Sequence, residues 1–360
     1  MPKIKIKPKQ SLNAISLFSG MGGDSLGIIN AKLKLIAYSE KESLFRETHH
    51  LNFPECELIG NGDITKTTDD EFIKYNGNCD LIFAGFPCQG FSNAGKKLAD
   101  DPRNTLFKEF LRATKLIKPK YIIGENVKGL LSRKTSNDEN YIDVIKASFE
   151  ELGYTIYFKV LKTHHYNIPQ KRERLIIVGI TNNINKIFTF PQQIDNPNLN
   201  LKDIVTFNMT GALKMEPEDY DMDSIPIECM LIDLDNDENE NNPHPNLKLL
   251  AKSKDYTYQN VVYKSRLTFG KRIPVGGEII DIRNPAKTII CTYARQPRFF
   301  VPLKNKNGYY LRCLLPDELK QIQGFPKDFK VCGKTDKQII QIGNAVPPPL
   351  IEQIIKNIIN

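Results

Sequence analysis

The 360-residue chain carries 50 Lys and Arg against 42 Asp and Glu, a formal net charge of +8, with 40% apolar and 26% charged residues. That balance suits a large α/β domain with a smaller companion; no apolar run approaches the roughly 18 residues of a membrane span, so neither a span nor a secretory leader is expected. Seven cysteines, at 56, 79, 88, 229, 291, 313 and 332, show no C-x-x-C pair and no metal-ligand spacing. Reduced thiols and no bound metal are therefore expected.

In chain order, short apolar runs alternate with helical patterns, the signature of parallel βαβ units. Residues 14–18 read as a strand, followed by the turn Ser19-Gly20-Met21-Gly22-Gly23 and a helix from Asp24. Residues 35–38 and 57–59 give the second and third strands, and residues 80–84 the fourth. Leu106, Phe107, Phe110, Leu111 and Ile117 recur at helical spacing, and Pro119 ends that helix. Residues 121–123 make a fifth strand, 142–152 a helix, and 155–161 and 175–180 two more strands. From Asn182 to about Val301 regularity fails, with β-like runs such as 287–292; helical pattern returns at 316–323 and after Pro347-Pro348-Pro349. Residues 215–247 hold eleven acids and no Lys or Arg, which predicts a solvated loop turned away from any phosphate backbone. The rest of the chain is correspondingly more basic, as a polyanion partner would favour. The expected division is a catalytic domain over 1–185, a β-rich insert over 186–305 containing the acidic loop, and a segment over 306–360 that packs back on the catalytic domain.

Candidate chemistry collects at strand ends. Open α/β sheets bind ligands outside the carboxyl ends of their strands, where Gly85-Phe86-Pro87-Cys88-Gln89 follows the fourth run. Pro87 stiffens the turn that presents the Cys88 thiol. The glycine turn after the first strand lets a ligand approach backbone N–H groups, but its spacing is not G-x-G-x-x-G. Glu40, twenty residues after Gly20, suits ribose hydroxyls, and Asp63 suits an adenine amino group. With no basic residue in the glycine turn, these features point to a nucleoside cofactor with little phosphate. Glu125-Asn126-Val127 ends the fifth strand, in the same crevice as Cys88. A thiolate beside a carboxylic acid suits conjugate addition to cytosine: sulfur attacks C6, the acid protonates N3, and C5 becomes electron-rich. From Gln170-Lys171-Arg172-Glu173-Arg174, an Arg could reach the base O2 or hold Glu125; taken alone, the cluster reads equally as a charged strand edge.

Six ordered blocks resemble the cytosine-5 DNA methyltransferase family: Phe18-Ser19-Gly20-Met21-Gly22-Gly23, Gly85-Phe86-Pro87-Cys88-Gln89-Gly90-Phe91-Ser92, Glu125-Asn126-Val127, Gln170-Lys171-Arg172-Glu173-Arg174, Gln323-Gly324-Phe325-Pro326 and Gly343-Asn344-Ala345-Val346-Pro347. The resemblance implies a Rossmann-like class I methyltransferase, a mixed sheet with helices on both faces, and a smaller, irregular β-rich target-recognition domain. It implies Cys88 as nucleophile, Glu125 as the N3 partner, Arg174 at the base and Arg172 in support. It implies an S-adenosylmethionine pocket from Phe18, Gly20, Gly22, Gly23, Glu40, Asp63, Pro87, Asn344 and Val346, with S-adenosylhomocysteine as product. Residues 89–103 resemble a loop that closes over a flipped-out cytosine, with Gln89, Ser92, Lys96, Lys97 and Arg103 facing DNA. In the insert, where the resemblance fades, Lys264, Arg266, Lys271, Arg272, Arg283, Lys287, Arg295 and Arg298 interleave with aromatics; Arg272 and Arg295 are the DNA-contact candidates. Lys41 stands where the family often has an aromatic that stacks on adenine, which predicts somewhat weaker cofactor binding than in relatives, or a substitute stacker.

The implied activity is methylation of cytosine C5 in double-stranded DNA, by a monomer of the cytoplasm or nucleoid, either as the genetically linked partner of a cognate restriction endonuclease or as a solitary modifier. A tRNA cytosine-5 methyltransferase of the same fold is the nearest alternative. It usually carries Cys-Phe-Thr, which this chain lacks. A catalytically silent DNA-binding relative is the other.

Overall fold

The structure, a computed structural model, describes residues 11–87, 106–135, 138–195, 197–252 and 254–360. They form two compact units that interleave along the chain: one from residues up to 166, 173–193 and 345–360, the other from 167–172 and 194–344. Residues 306–344 thus group with the insert, and only the last sixteen residues group with the first unit.

The first unit is built on a seven-stranded sheet of order β3-β2-β1-β4-β5-β8-β6. Numbered along the chain, its strands are β1 (Asn13–Leu17), β2 (Lys34–Tyr38), β3 (Glu57–Leu58), β4 (Leu81–Ala84), β5 (Tyr121–Asn126), β6 (Tyr154–Lys162) and β8 (Glu173–Thr181). The first five are parallel, while β8 runs antiparallel to both β5 and β6, so the sheet is mixed. β4 is buried along its whole length, as expected of a central parallel strand covered on both faces. Helices α1 (Gly23–Asn30), α2 (Ser43–Asn52), α3 (Asp69–Ile73), α4 (Leu106–Ile117) and α5 (Tyr141–Glu150) fill the connections, and α9 (Pro348–Ile359) packs on α1. Strand order reverses at β1, between β2 and β4, which is the switch point where such sheets hold ligands.

The second unit centres on a sheet of order β13-β14-β16-β17-β9, with β10 also paired to β16. Its strands are β9 (Leu213–Met215), β10 (Leu231–Asp233), β13 (Leu267–Phe269), β14 (Gly277–Ile279), β16 (Phe299–Asn305) and β17 (Gly308–Cys313). A separate hairpin joins β11 (Lys254–Tyr258) to β12 (Val261–Ser265), and β7 (Gln170–Lys171) pairs with β15 (Ala286–Lys287). Helices α6 (Pro245–Ala251), α7 (Pro316–Ile322) and α8 (Thr335–Asn344) complete it.

Two expectations change. The 287–292 run is strand only at its start and then turns into a short 3₁₀ segment, Cys291–Ala294. The acidic stretch is not merely a solvated loop. β9 ends in it, β10 lies within it, and Met222, Ile225, Cys229 and Met230 are buried. Its acids are tethered to the unit's own sheet region: Glu228 pairs with Arg283, Asp237 with Lys306, and the Tyr309 hydroxyl donates to Asp223. The apolar residues of the stretch win burial, while several of the charged ones stay at the surface beside cations.

Candidate active site

Four strand ends of the first unit build the site. After β1 the chain turns through Phe18 and Gly20, both at positive φ, and Gly22, at φ 96°, caps α1. That conformation favours glycine, and a Cβ on Gly22 would also lie 2.5 Å from the Phe53 ring. A Cβ on Gly20, by contrast, would meet no atom within 4 Å, so open space lies beside the turn. Glu40, after β2, faces this turn: one carboxylate oxygen accepts from the Gly20 N–H at 2.8 Å and the other from the Glu42 N–H at 2.8 Å. Two backbone donors therefore orient a carboxylate whose pKa burial pushes up. Asp63, after β3, caps a 3₁₀ turn by accepting from the Thr65 N–H and hydroxyl. Its other oxygen lies 3.4 Å from the ammonium of Lys41. Lys41 thus stands over Asp63 as an exposed ion-pair partner.

β4 delivers Gly85, Phe86 and Pro87; Cys88 and the DNA-facing candidates Gln89, Ser92, Lys96, Lys97 and Arg103 lie outside the described residues. What positions the backbone just before Cys88 is visible. Asn126 donates from its side-chain amide to the Phe86 carbonyl at 3.0 Å, and Phe86 is buried near the Phe110 ring. β5 pairs directly with β4 through Ala84 and Gly124, so Glu125 emerges one residue beyond, next to the strand that leads to Cys88. Glu125 and Val346 both approach within 4 Å of the position a Cβ on Gly85 would take.

Across β5, Arg174 of β8 places its Nε 2.6 Å from Glu125 Oε1, with the two side chains 13% and 11% exposed. The contact is a close ion pair by distance. At that distance charge and close approach together hold the pair. Burial lowers the Arg174 pKa and Glu125 opposes that shift. The outer nitrogen Nη1 of Arg174 donates to its neighbour's carbonyl, Glu173 O.

Arg172 goes elsewhere. It is buried in the second unit, where its Nη1 donates to the carbonyls of Ile289 and Gly343 at 2.9 and 3.2 Å. Its neighbour Gln170 is also buried and donates to the Gln323 side chain at 2.7 Å. Asn344, exposed at the end of α8, belongs to that unit too, whereas Val346 belongs to the first. Of the eight insert cations, Arg283 and Lys287 are engaged by Asp281 and Glu278. Lys264, Lys271, Arg272 and Arg295 are exposed.

Sequence reasoning missed a polar network under the glycine turn. Ser16 donates to Asp24, which burial pushes up to a pKa of about 7. Ser19 and Ser25 hydroxyls meet at 3.0 Å, and Ser25 meets His49 Nε2 at 2.9 Å. His49 stacks on Tyr38 at 3.6 Å, is fully buried, and is pushed down to about 3 by desolvation. An acid in the first turn of a helix and a His on an apolar α2 face read as ordinary surface features in sequence, which hid them.

Among the described residues no helix is long and apolar enough to cross a membrane, and no cluster of His, Cys, Asp and Glu could hold a metal ion. The family model for C-5 cytosine-specific DNA methylases matches residues 12–360. The chain is 32% identical over 352 residues to the type II methyltransferase M1.HphI of Haemophilus parahaemolyticus, covering 96% of this chain and 86% of that protein. It is 29% identical over 364 residues to M.HhaI of the same organism, covering 99% and 97%. Its fold is similar to that of a DNMT2 variant from Spodoptera frugiperda, with a TM-score of 0.66 at 18% identity, covering 97% of this chain and all of that one.

Proposed function

Because the chain belongs to the C-5 cytosine-specific DNA methylase family, the activity to be explained is transfer of a methyl group to C5 of cytosine in DNA, and we propose that Cys88, Glu125 and Arg174 carry it. The observation that supports this most is the Glu125–Arg174 pair, seated on the strand next to the one that leads to Cys88.

In this reading the Cys88 thiolate adds to C6 of a flipped-out cytosine while Glu125 faces N3 and passes it a proton, Arg174 stabilising the carboxylate that results. Electron density then collects at C5, which would take the methyl group from a sulfonium donor and leave its thioether; N3 returns its proton to Glu125, water accepts the C5 proton, and expulsion of the Cys88 thiolate restores the aromatic base. Arg174 holds Glu125 and faces the base. Asn126 holds the Phe86 carbonyl, two residues before Cys88 in the chain.

The first unit fits S-adenosylmethionine: open space lies beside Gly20, Glu40 is oriented for the ribose, and Asp63 is the candidate for the adenine amino group, with Lys41 facing its second oxygen. Bound there, the cofactor would supply an electrophilic methyl group. Phe18, Gly22, Gly23, Pro87 and Val346 are the other cofactor candidates that the first unit contributes. Arg172 acts as a structural tether of the Gln-Lys-Arg-Glu-Arg segment rather than as a contact to substrate. The second unit is read as the target-recognition module, and similarity to type II methyltransferases supports a modification role beside a restriction endonuclease.

Incubation with methyl-labelled S-adenosylmethionine and separate duplex DNA and tRNA samples tests the reading. Label should enter DNA, fall to background in Cys88→Ala, and fall about 100-fold or more in Glu125→Gln. Label in tRNA alone, or label retained by Cys88→Ala, overturns it.

A further inference from the structure

The turn between β13 and β14 contains a residue its backbone does not suit. Residues 273–276 form a β-turn closed by the Gly276 N–H donating to the Ile273 carbonyl at 3.2 Å. Pro274 occupies its second position, and Val275, the third, lies at φ +58°. Pro followed by a positive-φ residue is the type II pattern, whose third position calls for glycine or asparagine. A β-branched residue there is a genuine outlier and costs stability.

The surroundings force the conformation without rewarding the side chain. Ile273 is buried beneath the turn. Gly276 is pressed so close that a Cβ would lie 2.5 Å from Ile273 Cγ1 and 2.6 Å from the Arg266 carbonyl. The Gly277 N–H donates to that same carbonyl at 2.8 Å, and its own Cβ would strike the Phe300 ring. The backbone path is thus pinned on the Gly276 side. Val275 itself is 46% exposed, so packing does not offset its strain. Beside it stand Lys271 and Arg272, both exposed, and residues 270–277 contain no acid. The Lys271 carbonyl accepts from the Thr268 hydroxyl, which ties down the backbone carrying these cations.

A strained, solvent-facing apolar side chain flanked by two cations suits a duplex DNA partner: the cations meet phosphates and the methyl groups meet a base edge, the thymine methyl being the apolar feature of the major groove. We propose that Val275 is a specificity-determining residue, held in a glycine conformation so that its methyls read one base pair of the recognition site. The inference rests on reading the second unit as the DNA-recognition module.

Val275→Gly and Val275→Asn both suit the backbone, so each should melt no lower than the parent protein. Base-resolution mapping of methylated cytosines on unmethylated bacterial genomic DNA gives the parent's site. Both variants should lose about 10-fold or more of the kcat/KM preference at one position of that site and keep it at the others. A Val275→Gly protein that melts lower removes the premise of strain and overturns the proposal. Unchanged preference at every position overturns it as well. The double variant Lys271→Ala, Arg272→Ala separates the two readings. If it weakens DNA binding while Val275→Gly keeps full selectivity, the recognition module stands and the role of Val275 fails. If neither changes DNA binding or preference, both fail.

Discussion

Lys41 shows how one side chain can redirect a site without altering its frame. Its side chain is 71% exposed and its ammonium lies 3.4 Å from Asp63, so the pair is solvent-screened and contributes little stability. What the pair does is occupy the Asp63 oxygen that would face an adenine amino group, while offering no ring to stack on it. An aromatic at position 41 would free that oxygen and add a stacking partner, a gain on the order of 1 kcal/mol. Lys41→Trp should therefore tighten S-adenosylhomocysteine binding about 3-fold to 10-fold by calorimetry. An unchanged or weaker Kd would show that Lys41 is not at the adenine edge. Lys41 could be singled out in sequence only against a family pattern. Its ion pair with Asp63 spans residues far apart in the chain and needed the fold.

At the scale of elements, the network joining β1, α1 and α2 buries two ionisable groups with opposite consequences. Asp24 has its pKa raised to about 7, first by desolvation. The folded protein therefore holds a proton that the unfolded chain releases, and this group makes stability fall as pH rises from about 4 to 7. His49 has its pKa lowered to about 3, again by desolvation. The unfolded chain then binds the extra proton, so this group makes stability fall as pH drops from about 6.5 toward 3. Across pH 4 to 6.5 the two oppose each other, and the parent should have a nearly flat contribution from this region. Asp24→Asn leaves His49 alone and should make stability rise with pH over that window. His49→Phe should make it fall with pH. The limiting slope of either is about 1.4 kcal/mol per pH unit. Denaturant titrations at several pH values check this, and parallel profiles for both variants would refute the opposition. The sequence shows β1, the glycine turn and the helix start plainly, because apolar runs and Gly are local signals. It does not show that Asp24 and His49 end up buried, since that depends on α2 folding over α1. The same limit hid α8, with few apolar residues, and the β16–β17 hairpin, whose antiparallel partner is visible only once the strands pair.

At the scale of the whole chain, the interleaving of the units carries a consequence for stability. Residues 345–360 belong to the first unit although about 150 residues of the second precede them. α9 buries Pro348, Leu350, Ile351, Ile354, Ile355 and Ile358, and packs on α1 so closely that a Cβ on Gly27 would lie 2.7 Å from Ile351 Cβ. Burying one large aliphatic side chain contributes about 1.5 to 3 kcal/mol, so the five Leu and Ile of α9 together rival the roughly 5 to 15 kcal/mol by which a domain is stable. The final helix is therefore a structural part of the first unit: it supports the helix that starts at the glycine turn. A chain ending at Asn344 should lose the cooperative unfolding of the first unit and its binding of S-adenosylhomocysteine, while amide protection in β16 and β17 of the second unit persists. Gly27→Ala offers a milder version, since overpacking the contact should cost about 1 to 3 kcal/mol without removing any residue. Hydrogen exchange read by mass spectrometry distinguishes the outcomes. Full protection of β1 and β4 in the shortened chain would mean that α9 only covers a unit able to fold without it.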